Sequence, residues 1–367
     1  MKKRYKIISI LLIVVLCAAM SIGCAKSDPA PAPAPADSGS SEAAAPAEPA
    51  GDLSDIRVGF VASGMLGDKS FNDNVWSGLQ KAEAEFGITI KALESNETAD
   101  WDSNLVAMAE EGYDLIVTPS QLTETLTRIA GDYPDVKFAI IDAEVDAPNV
   151  ASLIFAQNEG SFLVGAAAAI FTTAPDIEGV NPENTIGFIG GMDIPVIHDF
   201  LKGYEQGAKY VDPDITVLVS YIGTFNDPIK GKEIAEAQYS QGVDITYNLG
   251  ATAGIGVLEA MEESGKFAIG GDVDEDSKYP GHVLISELKR TDVAAYEMAK
   301  AVVEGTFKGG LVAMNLENGG MGTTDMSVMK AALGDKFPEE IITTLADLRT
   351  KIMNKEIVVD HEEGFTV

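Results

Sequence analysis

The chain of 367 residues carries 57 acidic against 26 basic side chains, a formal net charge of −31. Such a field repels phosphate backbones and highly anionic solutes, so nucleic-acid binding is disfavoured and solubility at a cell surface is favoured. Both cysteines, Cys17 and Cys24, lie near the N-terminus, which leaves the rest of the chain without a disulfide, a thiolate nucleophile or a cysteine metal site.

The N-terminus reads as an export signal. Lys2, Lys3, Arg4 and Lys6 precede an apolar run from Ile7 to Met20, and "SIGC" follows. The run is short for a membrane span and polar sequence comes after it, so cleavage is expected. Gly23 before Cys24 has the look of a lipobox, in which the cysteine is lipidated and becomes the mature N-terminus, although Ser21 stands where leucine is usual. Loss of residues 1–23, which hold four cations and no acid, would move the net charge from −31 to −35. From Cys24 to Gly51 alternating Pro and Ala favour extended polyproline backbone and offer nothing to bury. This segment is expected to be a tether between a lipid and a folded domain.

Residues 52–367 exceed what one hydrophobic core usually supports, which predicts two lobes. Val- and Ile-rich runs at 56–61, 114–118, 137–142, 185–191, 215–223, 244–250, 267–272 and 282–288 read as buried strands. Helix-length amphipathic segments separate most of them, so repeated βαβ units and parallel sheets are expected. Within "GMLGDKSFNDNVWSGL" (64–79) and just beyond it, Phe71, Val75, Leu79, Ala82 and Phe86 recur at helical spacing. Ser70 or Asp68 is the candidate N-cap, and Trp76 reads as packing. The glycine-rich loop before this helix therefore joins a strand to a helix, and such loops at the carboxyl ends of parallel strands are where α/β sheets bind ligands. The segments after Thr118, Asp142, Gly191, Gly223, Gly250 and Asp272 have the same placement and are expected to line a cleft between the lobes.

Catalytic signatures are missing. His198, His282 and His361 share no metal-ligand spacing and accompany no nucleophile motif, so each reads as a satisfied or surface histidine. "GATAGIG" (Gly250–Gly256) lacks the dinucleotide-binding spacing and reads as a turn whose glycines let a helix approach a strand or a ligand. No enzyme activity, cofactor or metal is expected. Taken singly, Phe71 can also seed a helix core face, Asn72 can cap the helix, Asp142 and Asp272 can serve turns, and Lys289 can be a solvated charge.

Five stretches in order change that balance: "DKSFNDNVWSGL", "YPDVKFAIIDAEVDAPNVASLIFAQNEGSFLVGAAAA", "TIGFIGGMDIPVIHDFLKGYEQGAK", "GTFNDPIKGKEIAEAQYSQGVDITYNLGATAGIG" and "AIGGDVDEDSKYPGHVLISELKR". Together, from about Arg57 to Lys308, they resemble the basic membrane protein family of substrate-binding lipoproteins for ABC transporters. The resemblance implies a type I periplasmic-binding-protein fold, two doubly wound parallel-sheet lobes joined by a hinge of crossing strands. The first lobe would span 52–158 and be completed by 285–312; the second would span 159–284 and be completed by 313–367. Phe71 and Phe225 would sandwich a purine, Asn72 would bond the base, Asp142, Asp272 and Lys289 would address the ribose hydroxyls, and Gly250 would lie at the ligand. Nucleoside-binding relatives carry an aspartate at the end of the first strand; here Ser63 or Ala62 stands in its place, which leaves the base preference open. The implied protein is a monomeric, lipid-anchored receptor on the extracytoplasmic face of the cell membrane that delivers a nucleoside-like solute to a permease. The alternatives are a receptor for another planar heterocycle such as a flavin, a nucleoside-processing enzyme, or an adhesive surface lipoprotein.

Overall fold

The computed structural model describes residues 53–363 apart from Asn96; the expected signal, the lipidated Cys24 and the tether lie outside the described residues. The chain builds a first unit from β1 (Arg57–Val61), α1 (Phe71–Phe86), β2 (Thr89–Leu93), α2 (Thr98–Glu110), β3 (Leu115–Pro119), α3 (Thr123–Ile129), β4 (Lys137–Ile141) and β5 (Val150–Phe155). A second unit follows with α4 (Gln157–Phe171), β6 (Thr185–Gly190), α5 (Pro195–Val211), β7 (Thr216–Tyr221), α6 (Pro228–Tyr239), β8 (Ile245–Leu249), α7 (Thr252–Ser264), β9 (Phe267–Gly270) and β10 (Val283–Lys289). The remainder is α8 (Thr291–Val303), β11 (Gly310–Met314), β12 (Met321–Thr323), α9 (Ser327–Leu333) and α10 (Glu340–Met353).

The first sheet runs β11-β5-β4-β3-β1-β2 and is parallel throughout. The second runs β12-β10-β9-β8-β6-β7 and is parallel except for the antiparallel edge pair β10 and β12. Strand by strand the two orders correspond, so each position in one lobe has a counterpart in the other. Central strands such as "LIVTP" of β3 and "ITYNL" of β8 are buried along their whole length, as expected where helices cover both faces of a sheet. In the second lobe α4 packs on α5 with almost no side chain between them. A Cβ on Gly165 would lie 2.2 Å from the carbonyl oxygen of Tyr204, and one on Gly207 would lie 1.9 Å from that of Phe162. Among the described residues no helix is long and apolar enough to cross a membrane.

Three crossings join the lobes: from β5 into α4, from β10 into α8, which packs on α1, and from β11 to β12. The return to the first lobe therefore falls at Arg290 and not near residue 285, because Ile285 and Ser286 of β10 pair with Ile269 and Gly270 of β9. Four strands carried no recognised signal. β2 and β11 are partly exposed edges, β12 has three residues, and β5, though wholly buried, has its apolar run diluted by Ala151 and Ser152.

Candidate functional site

The carboxyl ends of both sheets face one cleft. Counting the open solvent at its mouth, the space it bounds is about 700 Å³. Strand order ranks its lining. On the first lobe Asp142 follows β4, Pro119 ends β3 with Ser120 and Gln121 just beyond it, and Ser63 and Gly64 follow β1. On the second lobe Lys289 ends β10, Asp272 follows β9, Ala251 and Thr252 follow β8, and Phe225 and Asn226 follow β7. Both lobes thus gather Asp142, Asp272 and Lys289 at one end of the cleft and aromatic and amide groups at the other, where Asp68 is the one acid among the lining residues.

Asp142 and Asp272 occupy corresponding positions and share an unusual backbone. Their φ values are 64° and 65°, a left-handed conformation that costs a non-glycine residue roughly 1–2 kcal/mol and that aspartate tolerates better than most. Each carboxylate is met from the opposite lobe. Lys289 Nζ donates to Asp142 Oδ2 at 2.6 Å, and Ser70 Oγ donates to Asp272 Oδ2 at 2.7 Å. Burial pushes both carboxyls above the usual range, while Lys289 holds each of them back, as does the Ser70 hydroxyl at Asp272. Lys289 itself is 1 % exposed. Its ammonium lies 5.1 Å from the ring centroids of both Phe155 and Phe200 and also donates to Gln157 Oε1 at 3.3 Å.

Ser70 is free to reach Asp272 because another residue caps α1. Asp68 Oδ1 accepts from the backbone N–H of Ser70 and Asp73, and its Oδ2 accepts from that of Asn72. These bonds satisfy the helix start and occupy both oxygens of a carboxylate that would otherwise face the aromatic end. Burial raises the Asp68 carboxyl, and the same three N–H groups oppose the rise. Phe71 is the first residue of α1 and is half-buried, so it serves the core and the cleft together. The half-buried Phe225 lies over Gly191, where a Cβ would come within 2.2 Å of the ring. Between them, a Cβ on Gly64 would lie 3.4 Å from Asn72 Nδ2 and 3.6 Å from Asn226 Oδ1, so an amide from each lobe stands beside the same glycine.

Asn72 Oδ1, Gln121 Oε1 and Asp142 Oδ1 are buried without a hydrogen-bond partner among the described residues, and all three residues line the cleft. An orphaned buried acceptor costs about 1–3 kcal/mol, so three in one cleft mark where a solute rich in N–H and O–H groups would fit. No group of three His, Cys, Asp or Glu among the described residues is placed to hold a metal ion.

Of the residues singled out in the sequence, Ser63, Phe71, Asn72, Asp142, Phe225, Asp272 and Lys289 converge on this cleft. Gly250 does not line it; its neighbours Leu249, Ala251 and Thr252 do. A Cβ on Gly250 would lie 2.6 Å from the backbone nitrogen of Gly254, so glycine here lets α7 approach the end of β8. Sequence reasoning missed Gln121, Asn226 and Phe200. The first two follow strand ends and were within reach of the same loop argument, whereas Phe200 lies on the buried face of α5 and reads as core. Trp101 Nε1 donates to the Ser63 carbonyl at 3.3 Å and thereby ties α2 to the loop after β1.

The sequence pattern of the PnrA-like ABC transporter substrate-binding proteins matches residues 56–363. The ABC transporter nucleoside-binding protein BmpA of Lactococcus lactis is 34% identical over 319 residues, covering 80% of this chain and 86% of its own. Basic membrane protein A of Borreliella burgdorferi is 32% identical over 314 residues, covering 83% and 87% of the two chains. Among solved structures, a solute-binding protein of an ABC transporter system from Aeropyrum pernix superposes with a TM-score of 0.74 at 33% identity, covering 84% of this chain and 94% of its own. Matched over nearly the whole of its folded part, this chain belongs to the PnrA-like family of ABC transporter substrate-binding proteins.

Proposed function

We propose that this protein is an extracytoplasmic, lipid-anchored receptor that closes its two lobes on a nucleoside and hands it to a permease. The observation that carries this reading is the grading of the cleft by strand order. Asp142, Asp272 and Lys289 stand at the end formed by β4, β9 and β10, and Phe71, Phe225 and the amides of Asn72 and Asn226 stand at the end formed by β1 and β7. A nucleoside has the same polarity: sugar hydroxyls suit carboxylates and an ammonium, and a planar base suits two rings. The nucleoside-binding relative in Lactococcus lactis supports the same reading. The reading is of a carrier and not an enzyme, which the substrate-binding role named for its family supports.

At the aromatic end Ser63 is neutral and the carboxylate of Asp68 is bonded by three backbone N–H groups, so the amides of Asn72 and Asn226, which present either a donor or an acceptor, are the main polar partners for the base. A purine is the expected base, with tolerance between 6-oxo and 6-amino forms. Nucleotides are excluded, because the cleft carboxylates of Asp142 and Asp272 and an acidic surface oppose a phosphate. The test is a thermal-shift panel of nucleosides, free bases, sugars and flavin on the soluble domain: nucleosides should raise the melting temperature most, and a response to flavin alone would refute the reading. Anchoring is tested separately. Cys24→Ala should move the protein out of the detergent phase, and unchanged partitioning would refute lipidation there.

A further inference from the structure

The ammonium of Lys289 has three N–H donors. Asp142 Oδ2 and Gln157 Oε1 take two of them at 2.6 and 3.3 Å, and Lys289 lines the cleft, which leaves the third N–H for a ligand. The direction of that third donor depends on which end of the Gln157 amide faces the lysine. Gln157 is wholly buried, and its Nε2 donates to Asp199 Oδ2 at 2.7 Å. Asp199 is also wholly buried and is no cleft residue. Its Oδ1 accepts from the backbone N–H of Glu362 at 2.7 Å, and the ring of His361 lies 3.2 Å away. An ionised carboxylate only accepts. Facing one, the Gln157 amide must turn its N–H₂ toward Asp199 and its oxygen toward Lys289.

We propose that Gln157 and Asp199 are positioning residues for the sugar-binding lysine: Asp199, held by the chain's C-terminal segment, fixes the orientation of the Gln157 amide, which in turn aims Lys289 into the cleft. This rests on the reading of the charged end as the sugar subsite. Reversing the pair tests it, because the hydrogen-bond polarity can be broken from either side and then restored. In Asp199→Asn the new amide presents N–H₂ to Gln157. Gln157 must then turn over and point its own N–H₂ at the Lys289 ammonium, donor against donor. In Gln157→Glu two carboxylates face each other. In the double variant the carboxylate introduced at position 157 accepts both from Lys289 and from the amide introduced at position 199. The oxygen of that amide still accepts from the Glu362 N–H, so the original pattern returns with the same net charge.

The experiment is calorimetry of the wild type and the three variants with inosine, hypoxanthine, adenosine and adenine. Each single variant should lose about tenfold or more in nucleoside affinity, the equivalent of one hydrogen bond to a charged group. Free-base affinity should stay within about twofold, as for distant independent sites. The double variant should recover most of the loss. A role in stability alone would lower nucleoside and base affinity together, and would not reproduce this recovery of selectivity. An unchanged nucleoside-to-base ratio in Asp199→Asn, or a double variant no better than the singles, overturns the proposal. If one single variant does not fold, the other is compared with the double variant: a double variant that discriminates better supports the pair's role, and one no better overturns it. A wild type that does not prefer nucleoside to base defeats the sugar-subsite reading itself and removes this inference with it.

Discussion

The two ends of the cleft are built by different physics. At the charged end Asp142 and Lys289 are buried and Asp272 is half-buried, each is bonded across the lobes, and burial raises both carboxyls. At the aromatic end Phe71 and Phe225 are half-buried, the nearest acid is spent on capping a helix, and the remaining polar groups are neutral. The first end is directional and costly to disturb. The second is forgiving, since a ring stacks on any flat partner. The lesson is that recognition of the sugar and of the base should come apart under mutation and under pH.

The strongest way to break the charged end alone is Lys289→Met. It leaves Asp142 buried without its ion partner, so a loss of about 3–5 kcal/mol in stability is expected by urea unfolding. Asp142→Asn in the same chain should recover part of it, because the orphaned charge is then gone. Residual binding by the double variant should favour nucleoside over base no longer.

Protonation should act on the same end. Burial raises Glu275, three residues beyond Asp272, to about 8 from an ordinary 4.5. A carboxyl whose folded pKa lies above its unfolded value contributes stability that is fully present below about pH 4.5 and is lost as pH rises toward 8. Glu275→Gln should therefore leave stability at pH 4 almost unchanged and raise it at pH 8, by an amount of the order of a few kcal/mol at about 1.4 kcal/mol per unit. Denaturation curves at the two pH values check this, and equal effects at both would contradict it. Stacking at the aromatic end should be unaffected over the same range.

Phe225→Ala and Phe71→Ala address the other side of the comparison. Each should cost about 1–3 kcal/mol in binding, by analogy with bases stacked on aromatic side chains. The loss should be the same for a nucleoside and for its free base, and a loss confined to nucleosides would place the sugar between the rings. The smallest effect belongs to Ser70→Ala, which removes one interlobe hydrogen bond to Asp272 and should weaken binding by about 1 kcal/mol.

Much of this was legible in the sequence, for identifiable reasons. Eight Val- and Ile-rich runs marked strands because central strands of a doubly covered sheet are apolar along their length, as in β3 and β8. Asp142, Asp272 and Phe225 were legible as residues just past strand ends, where parallel sheets place their ligands. The partners were not. Ser70 and Asp272 are 202 positions apart, Lys289 and Asp142 are 147 apart, and Gln157 and Asp199 are 42 apart, and no local periodicity encodes a contact of that kind. Asp68 shows the opposite case. It was a candidate cap from sequence, and the cap geometry explains why an acid is buried in the cleft wall: three backbone N–H groups bond its carboxylate.

The claim on which the rest depends is that one end of the cleft reads a sugar and the other a base. Titration calorimetry of the unmodified domain with inosine and with hypoxanthine tests it in a single comparison. Two or three added hydrogen bonds to charged groups should make the nucleoside bind at least about tenfold more tightly than its base. Equal affinities for the two would contradict the assignment of Asp142, Asp272 and Lys289 to the sugar.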